Sequence, residues 1–253
     1  MDHHSKFSSK AEIYAKYRWD YDPKAIASLC QIAGINHNSV VADIGSGTGM
    51  LTAHFVNNVS KIYAIEPNAE MRAIALKNLA QYPAFVSIDA LADSTTLPDN
   101  SVDLIVVGRA IHWFNAETTK PEFLRILKPN GWLATCRVTH EDLELLEALK
   151  ILRKTESGWN VAQDKSKILE NNDLESYYFN NNYQTIKQHS VIQEDWQQFL
   201  GRMLSHSPAP NSNNPLFPKF EAAAKKIFQS YSKAGILEIK IATEIKLGKI
   251  QIP

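Results

Sequence analysis

VVADIGSGTGML, Val40 to Leu51, is the stretch whose reading decides the fold. Its first residues are apolar and β-branched and run into a glycine, the pattern of a buried parallel strand. The chain has 10 glycines in 253 residues, yet Gly45, Gly47 and Gly49 stand two positions apart here. Without a Cβ, Gly45 allows a sharp turn, Gly47 a close approach of backbone to ligand, and Gly49 the tight start of the following helix. A dinucleotide fingerprint, G-x-G-x-x-G, seats a pyrophosphate on a helix N-terminus and needs its third glycine where this chain has Met50. The spacing present is G-x-G-x-G, preceded by Asp43. Glu66 follows Gly45 by 21 positions and ends the next apolar run, KIYAIE. A carboxylate there can accept hydrogen bonds from both hydroxyls of a ribose. Glycines and acid together point to an adenosine-type ligand.

Outward from this loop, strands and helices alternate. Asp22-Pro23 opens a capped helix that Gly34 stops. Thr48 to Asn57 reads as a helix, 61–66 as a strand, and Asn68 caps a helix with Met71, Ile74, Ala75 and Leu79 at helical spacing. Further strands are expected at 84–88, 102–108 and 131–138, with a helix over PEFLRILKPNG closed by Pro129 and Gly131. Such alternation with short connections predicts an α/β fold built on a doubly wound parallel sheet.

The second half differs. DLELLEALKILR, 142–153, is an amphipathic helix, and 169–184 is Asn-rich and aromatic, which suggests loops or short helices. SPAPNSNNPLFP, 207–218, reads as an exposed connector, and 219–235 as a helix with Phe220, Ala224, Ile227, Phe228 and Tyr231 on its apolar side. From Leu237 to Leu247 apolar and polar residues alternate, as in an antiparallel strand at or near a sheet edge. The division expected is 1–36 as cap segment and first helix, 37–140 as ligand-binding core, 141–235 as lid, and 236–253 as a strand completing the core sheet.

Lys+Arg and Asp+Glu balance at 27 each, so no overall field recruits nucleic acid or an anionic membrane. Cys30 and Cys136 lie far apart without a CxxC partner, which fits a reducing compartment and no metal role. The start, MDHHSKFSSK, has no apolar signal region and no run approaches a membrane span. A soluble cytoplasmic protein with no nucleic-acid or membrane partner and no metal is expected; oligomeric state is not readable.

VVADIGSGTGMLT, YAIEPNAEMRA, ALADSTTLPDNSVDLIVVGRAIHWF and RILKPNGWLAT resemble, in order and spacing, the motifs of class I S-adenosylmethionine-dependent methyltransferases. The small-molecule group that includes trans-aconitate methyltransferases is the nearest in likeness, and FSSKAEIYAKYRWDY, FLGRMLSHSPAP and TEIKLGKI extend it over nearly the whole chain. The resemblance implies a Rossmann-like, mostly parallel seven-stranded sheet with an antiparallel last strand and a helical lid insertion. It implies S-adenosylmethionine as cofactor, S-adenosylhomocysteine as product, and a small-molecule acceptor, whether carboxylate, hydroxyl or amine. Asp43 with Gly45, Ser46, Gly47 and Gly49 would face the methionine part, Glu66 the ribose, Met71 the adenine, and Ala92-Asp93 the adenine amino group. Tyr14 and Arg18 would close over the methionine carboxylate.

His112 comes after the fourth strand, at the sheet end where ligands of such folds sit. As a base it would take a proton from an acceptor hydroxyl or amine; the other reading is a buried histidine that shapes the pocket. Trp113 and Phe114 line the acceptor site or pack in the core, and His140 is a further pocket candidate. Two rivals stand beside the enzyme reading. One is a nicotinamide-dependent oxidoreductase, against which Met50 argues. The other is a non-catalytic module that binds the cofactor and transfers nothing.

Overall fold

The apolar run at Val40 lies inside a seven-stranded sheet in the computed structural model of the chain, which describes residues 10–154, 159 and 174–250. Strands β1 (Val40–Ile44), β2 (Lys61–Ile65), β3 (Phe85–Ile88), β4 (Val102–Gly108) and β5 (Leu127–His140) are parallel. Two further strands, β6 (Tyr183–Glu194) and β7 (Leu237–Gly248), complete the order β3-β2-β1-β4-β5-β7-β6. Strand β7 runs antiparallel to both β5 and β6. The helices are α1 (Ala11–Tyr17), α2 (Pro23–Ala33), α3 (Ala69–Leu79), α4 (Ala116–Ile126), α5 (Leu143–Lys154), α6 (Leu174–Phe179), α7 (Trp196–Leu204) and α8 (Phe217–Tyr231).

Both faces of the parallel strands are covered, which is why they read as uninterrupted apolar runs. Val41, Leu104, Val106 and Cys136 pack under Ile26 and Leu29 of α2. Ala42, Ile105, Val107 and Leu133 pack on the opposite side with Phe123 of α4 and Tyr178 of α6. A third cluster joins Leu145 and Leu149 of α5, Phe199 and Met203 of α7, and Phe220 and Phe228 of α8 to Ile239 and Ile241 of β7. It forms a roof beyond the carboxyl ends of β5 and β6. Caps fall where the sequence places them: the Asp22 carboxylate accepts from the Lys24 amide, Gly34 is left-handed, and the Asn68 side chain accepts from the Met71 amide.

Four expectations need correction. The helix expected over Thr48–Asn57 is a run of tightened turns around a 3-10 segment at Thr52–His54, closed by bonds such as Phe55 N–H to the Thr52 carbonyl. The Thr52 hydroxyl donates to Asp43 at 2.6 Å, which ties this turn to β1. The helix before β5 starts at Ala116, capped by Asn115, and gives way to strand at Leu127. Pro129 has no amide hydrogen to donate and biases Lys128 toward extended backbone, so the strand begins ahead of the expected Gly131. Strand β6 was not expected at all; it places β7 one strand in from the edge and sets part of the 141–235 lid inside the main sheet. Finally, Pro208, Ala209 and Pro210 of the supposed connector are buried, and exposure begins at Asn211. The amino-terminal polar stretch up to Ser9 and the Asn-rich residues 169–173 lie outside the described residues. Among the described residues no helix is long and apolar enough to cross a membrane.

Candidate active site

The glycine loop leaves β1 at the carboxyl edge of the sheet, with φ of 72° at Gly45 and 56° at Gly47. A Cβ on Gly45 would stand 2.6 Å from the Ala110 Cβ and 3.2 Å from Phe114 Cζ, so the loop is seated on the turn after β4. A Cβ on Gly47 would meet nothing within 4 Å, so this backbone faces open space. Its amide donates to Glu66 Oε2 at 2.9 Å, while Glu66 Oε1 accepts from the Asn68 amide at 2.9 Å. The end of β2 is thereby fixed against the loop, in keeping with the spacing of Gly45 and Glu66.

Asp43 is fully buried. Its Oδ2 accepts from Thr52, and its Oδ1 has no partner; Ser46 Oγ is likewise buried and unpartnered. Burial pushes the Asp43 carboxyl up to about 7, opposed by the Thr52 hydroxyl and reinforced by the charge of Glu66. A cavity of about 30 Å³ is bounded by Tyr14, Tyr21, Asp43, Gly45, Gly47 and Met50 among others. Tyr14, Asp43, Gly45, Ser46 and Gly47 therefore meet at one place. Gly49 supports the loop from below, against Leu79 and Ala75 of α3.

The remaining expected cofactor residues, Met71, Ala92, Asp93 and Arg18, are not among the residues that line this cavity. Met71 is buried in the first turn of α3. Ala92 packs on the core, and exposed Asp93 accepts from the Thr118 hydroxyl at 3.0 Å. Arg18 donates to Ser205 Oγ at 3.5 Å, and its guanidinium lies 5.5 Å from the Tyr14 ring centre. Among the described residues no carboxylate pairs with Arg18. Burial lowers its pKa to about 10, with Arg109, Arg202 and Arg153 adding to the effect and Tyr14 opposing it.

His112 sits in a 3-10 turn just past β4, its ring 5.1 Å from that of Trp113. Phe114 backs the glycine loop and meets Phe123 edge-on at 6.3 Å, so it belongs to the core side of that turn. His140 ends β5 with both ring nitrogens buried and unpartnered, and the Trp19 ring lies 5.6 Å away. Burial and Arg202 hold its pKa down at about 4, with Arg153 adding to them and Asp142 and Glu194 pulling the other way.

Sequence reading missed a polar chain that crosses this edge. Arg109 comes directly after β4 with φ of 54°; its Nε donates to the Tyr21 hydroxyl at 3.1 Å and its Nη2 to the Trp19 carbonyl. Trp19 Nε1 donates to Glu194 Oε1 at 2.7 Å, and Arg202 grips the same carboxylate through Nε at 2.7 Å and Nη2 at 2.9 Å. Arg202 within the apolar stretch WQQFLGRML was the one available sign, since a buried guanidinium needs an acid, but nothing in the sequence says which acid.

Residues 42–135 match the family described as methyltransferase domain. Over that segment the chain is similar to methyltransferase domains. Relatives include the uncharacterized methyltransferase Rv3342 of Mycobacterium tuberculosis, 33% identical over 136 residues, which are 54% of this chain and 53% of that one. The uncharacterized methyltransferase C25B8.09 of Schizosaccharomyces pombe is 33% identical over 132 residues, 51% of this chain and 50% of that one. The chain spans about half the length of these curated relatives. In fold it is similar to a type II methyltransferase, so named, from Anaeromyxobacter dehalogenans, with a TM-score of 0.65 at 17% identity over 94% of this chain and all of that one. It is also similar to the YcgJ protein of Bacillus subtilis, with a TM-score of 0.53 at 18% identity over 91% of this chain and all of that one. The matched methyltransferase domain contains Asp43, the glycines, Glu66 and His112. Tyr14, Arg18, His140, Glu194 and Arg202 lie outside it.

Proposed function

We propose that the chain transfers a methyl group from S-adenosylmethionine to a small acceptor that bears a carboxylate. The observation that carries the cofactor part is the pairing of Gly47 with Glu66 beside a buried Asp43 whose Oδ1 has no partner. The residues fit the cofactor. An unmet carboxylate oxygen suits its ammonium, the open face over Gly47 leaves room for its backbone, and the Glu66 carboxylate is an acceptor of the kind a ribose hydroxyl needs. Tyr14, which lines the cavity, and Arg18, whose guanidinium lies 5.5 Å from the Tyr14 ring, would cover the methionine carboxylate. When bound, the cofactor supplies a methyl group on a sulfonium, with a neutral thioether as leaving group. The protein's own part is to hold the acceptor in line and exclude water, which can supply up to about 7–11 kcal/mol of the barrier.

The acceptor class is supported by charge. Lys10, Arg18, Arg109 and Arg202 gather where α1 and α7 meet the ends of β4 and β5; after burial itself, Arg109 and Arg202 lower Arg18, and Arg18, Arg202 and Lys10 lower His206. Glu194 offsets Arg202, and the methionine carboxylate would offset one more. The positive charge left over suits an anionic acceptor. A carboxylate is ionised at neutral pH and needs no base, so His112 shapes the pocket and the product is a methyl ester.

The test is transfer from labelled S-adenosylmethionine to a panel of small carboxylates, hydroxylated compounds and amines, with mild base applied to the products. Label released as methanol is the expected result. Base-stable label would overturn the carboxylate assignment and make His112 the first residue to mutate.

A further inference from the structure

Resting on that cofactor reading, we infer that Glu194 is a positioning residue that latches the segment 18–22 over the cofactor cavity. Glu194 lies at the carboxyl end of the edge strand β6, only 4% exposed, and its carboxylate is met by Trp19 Nε1 and by two nitrogens of Arg202. A buried Arg–Glu pair adds little net stability over a well-packed apolar pair, because desolvation offsets most of the attraction. What this pair does is hold a third group in place. The Trp19 indole is hydrogen-bonded to Glu194 and lies 4.3 Å beneath the Arg202 guanidinium.

From Trp19 the contacts lead straight to the cofactor. Its carbonyl accepts from Arg109, whose Nε holds the Tyr21 hydroxyl and whose Nη2 lies 3.6 Å from Met50 Sδ. Tyr21 and Met50 are both walls of the cofactor cavity. That cavity, about 30 Å³, is far below the roughly 300 Å³ at which ligand pockets begin. On this inference the segment swings out for the cofactor to enter or leave. Its far end is pinned to the sheet where the Asp22 amide donates to Thr243 Oγ1 at 2.8 Å, and its near end is tied by Glu194 to the Trp19 indole, by Arg109 to the Trp19 carbonyl and by Ser205 to Arg18.

The experiment is stopped-flow binding and release of S-adenosylhomocysteine, monitored by tryptophan fluorescence, in the wild type and in Glu194→Gln. A latch predicts that association and dissociation both accelerate about tenfold, the loss of one hydrogen bond to a charged group, with Kd little changed. Faster dissociation with slower association would mean a distorted site, and unchanged rates would mean no latch; either overturns the inference. Should Glu194→Gln fail to fold, the double variant Glu194→Leu/Arg202→Met removes both charges and keeps the packing, and the same acceleration is expected. If the wild type binds no S-adenosylhomocysteine, the cofactor reading falls and this inference with it. Binding with unaltered rates overturns the inference alone.

Discussion

The two ends of the candidate site solve opposite electrostatic problems by different means. The glycine-loop end buries acid: burial, reinforced by the charge of Glu66, raises Asp43, and the partners of both carboxylates named above come from nearby in the chain. Thr52 is 9 residues from Asp43 and Gly47 is 19 from Glu66. The roofed end buries base, and its ties to the amino-terminal segment are long, 175 residues from Trp19 to Glu194 and 187 from Arg18 to Ser205, while Arg202 reaches Glu194 across only 8. An acidic pocket beside a basic one suits a cofactor that carries positive charge and an acceptor that carries negative charge. It also means that the first pocket forms with the local fold, whereas the second exists only once the whole sheet is assembled.

The severest way to break this contrast is Arg202→Met alone. It leaves Glu194 buried without its cation and is expected to cost about 3–5 kcal/mol in urea unfolding, while the double variant Glu194→Leu/Arg202→Met recovers most of that. Equal losses in both would show that the pair is not the feature that matters at the roofed end. Next in size, Glu66→Ala removes two charge-assisted hydrogen-bond acceptors and is expected to weaken S-adenosylhomocysteine at least about 100-fold by calorimetry. A loss below about tenfold would remove Glu66 from the ribose site.

The acidic end also has a pH signature. Because the folded Asp43 pKa is raised to about 7, Asp43 favours folding when protonated. Its contribution is present in full below about pH 4 and is lost as pH rises through about 7. A cofactor ammonium reverses that preference, so binding below pH 7 releases protons, which heats measured in buffers of different ionisation enthalpy will reveal. Asp43→Asn should abolish the release; release that persists would place the titrating group elsewhere. The smallest effect sharpens the comparison at the basic end. His140→Leu removes two ring nitrogens that bond to nothing, so its melting temperature should equal or slightly exceed the wild type's. A drop worth more than about 2 kcal/mol would show that the imidazole is hydrogen-bonded after all.

Legibility tracked the same divide. Strands β1 and β4 were readable because burial on both faces demands apolar, β-branched runs, and the caps of α2 and α3 because Asp22 and Asn68 satisfy helix ends with local oxygens. Gly45, Gly47 and Glu66 could be paired on paper because a parallel strand crossover sets their separation. The turns after Gly49 could not, since an apolar side at helical spacing does not distinguish an α-helix from tightened turns held by Thr52. Strand β6 was missed for a related reason. YQTIKQHSVIQE alternates polar residues on both sides, with little to mark a buried face, because an edge strand buries little.

By itself the sequence determined the parallel core, the glycine loop and the acid beside it, since each depends on residues close together in the chain and on backbone freedom that only glycine has. The tertiary structure alone decided that Arg109, Trp19, Glu194 and Arg202 form one chain of contacts, that Phe114 backs the loop, and that β7 is not the edge. Those are matters of which distant side chains share a buried space. The cost of hiding a charge makes a partner necessary but does not name it; Arg202 finds Glu194 only 8 residues away, whereas only the folded sheet brings Trp19 to that carboxylate from 175 residues away.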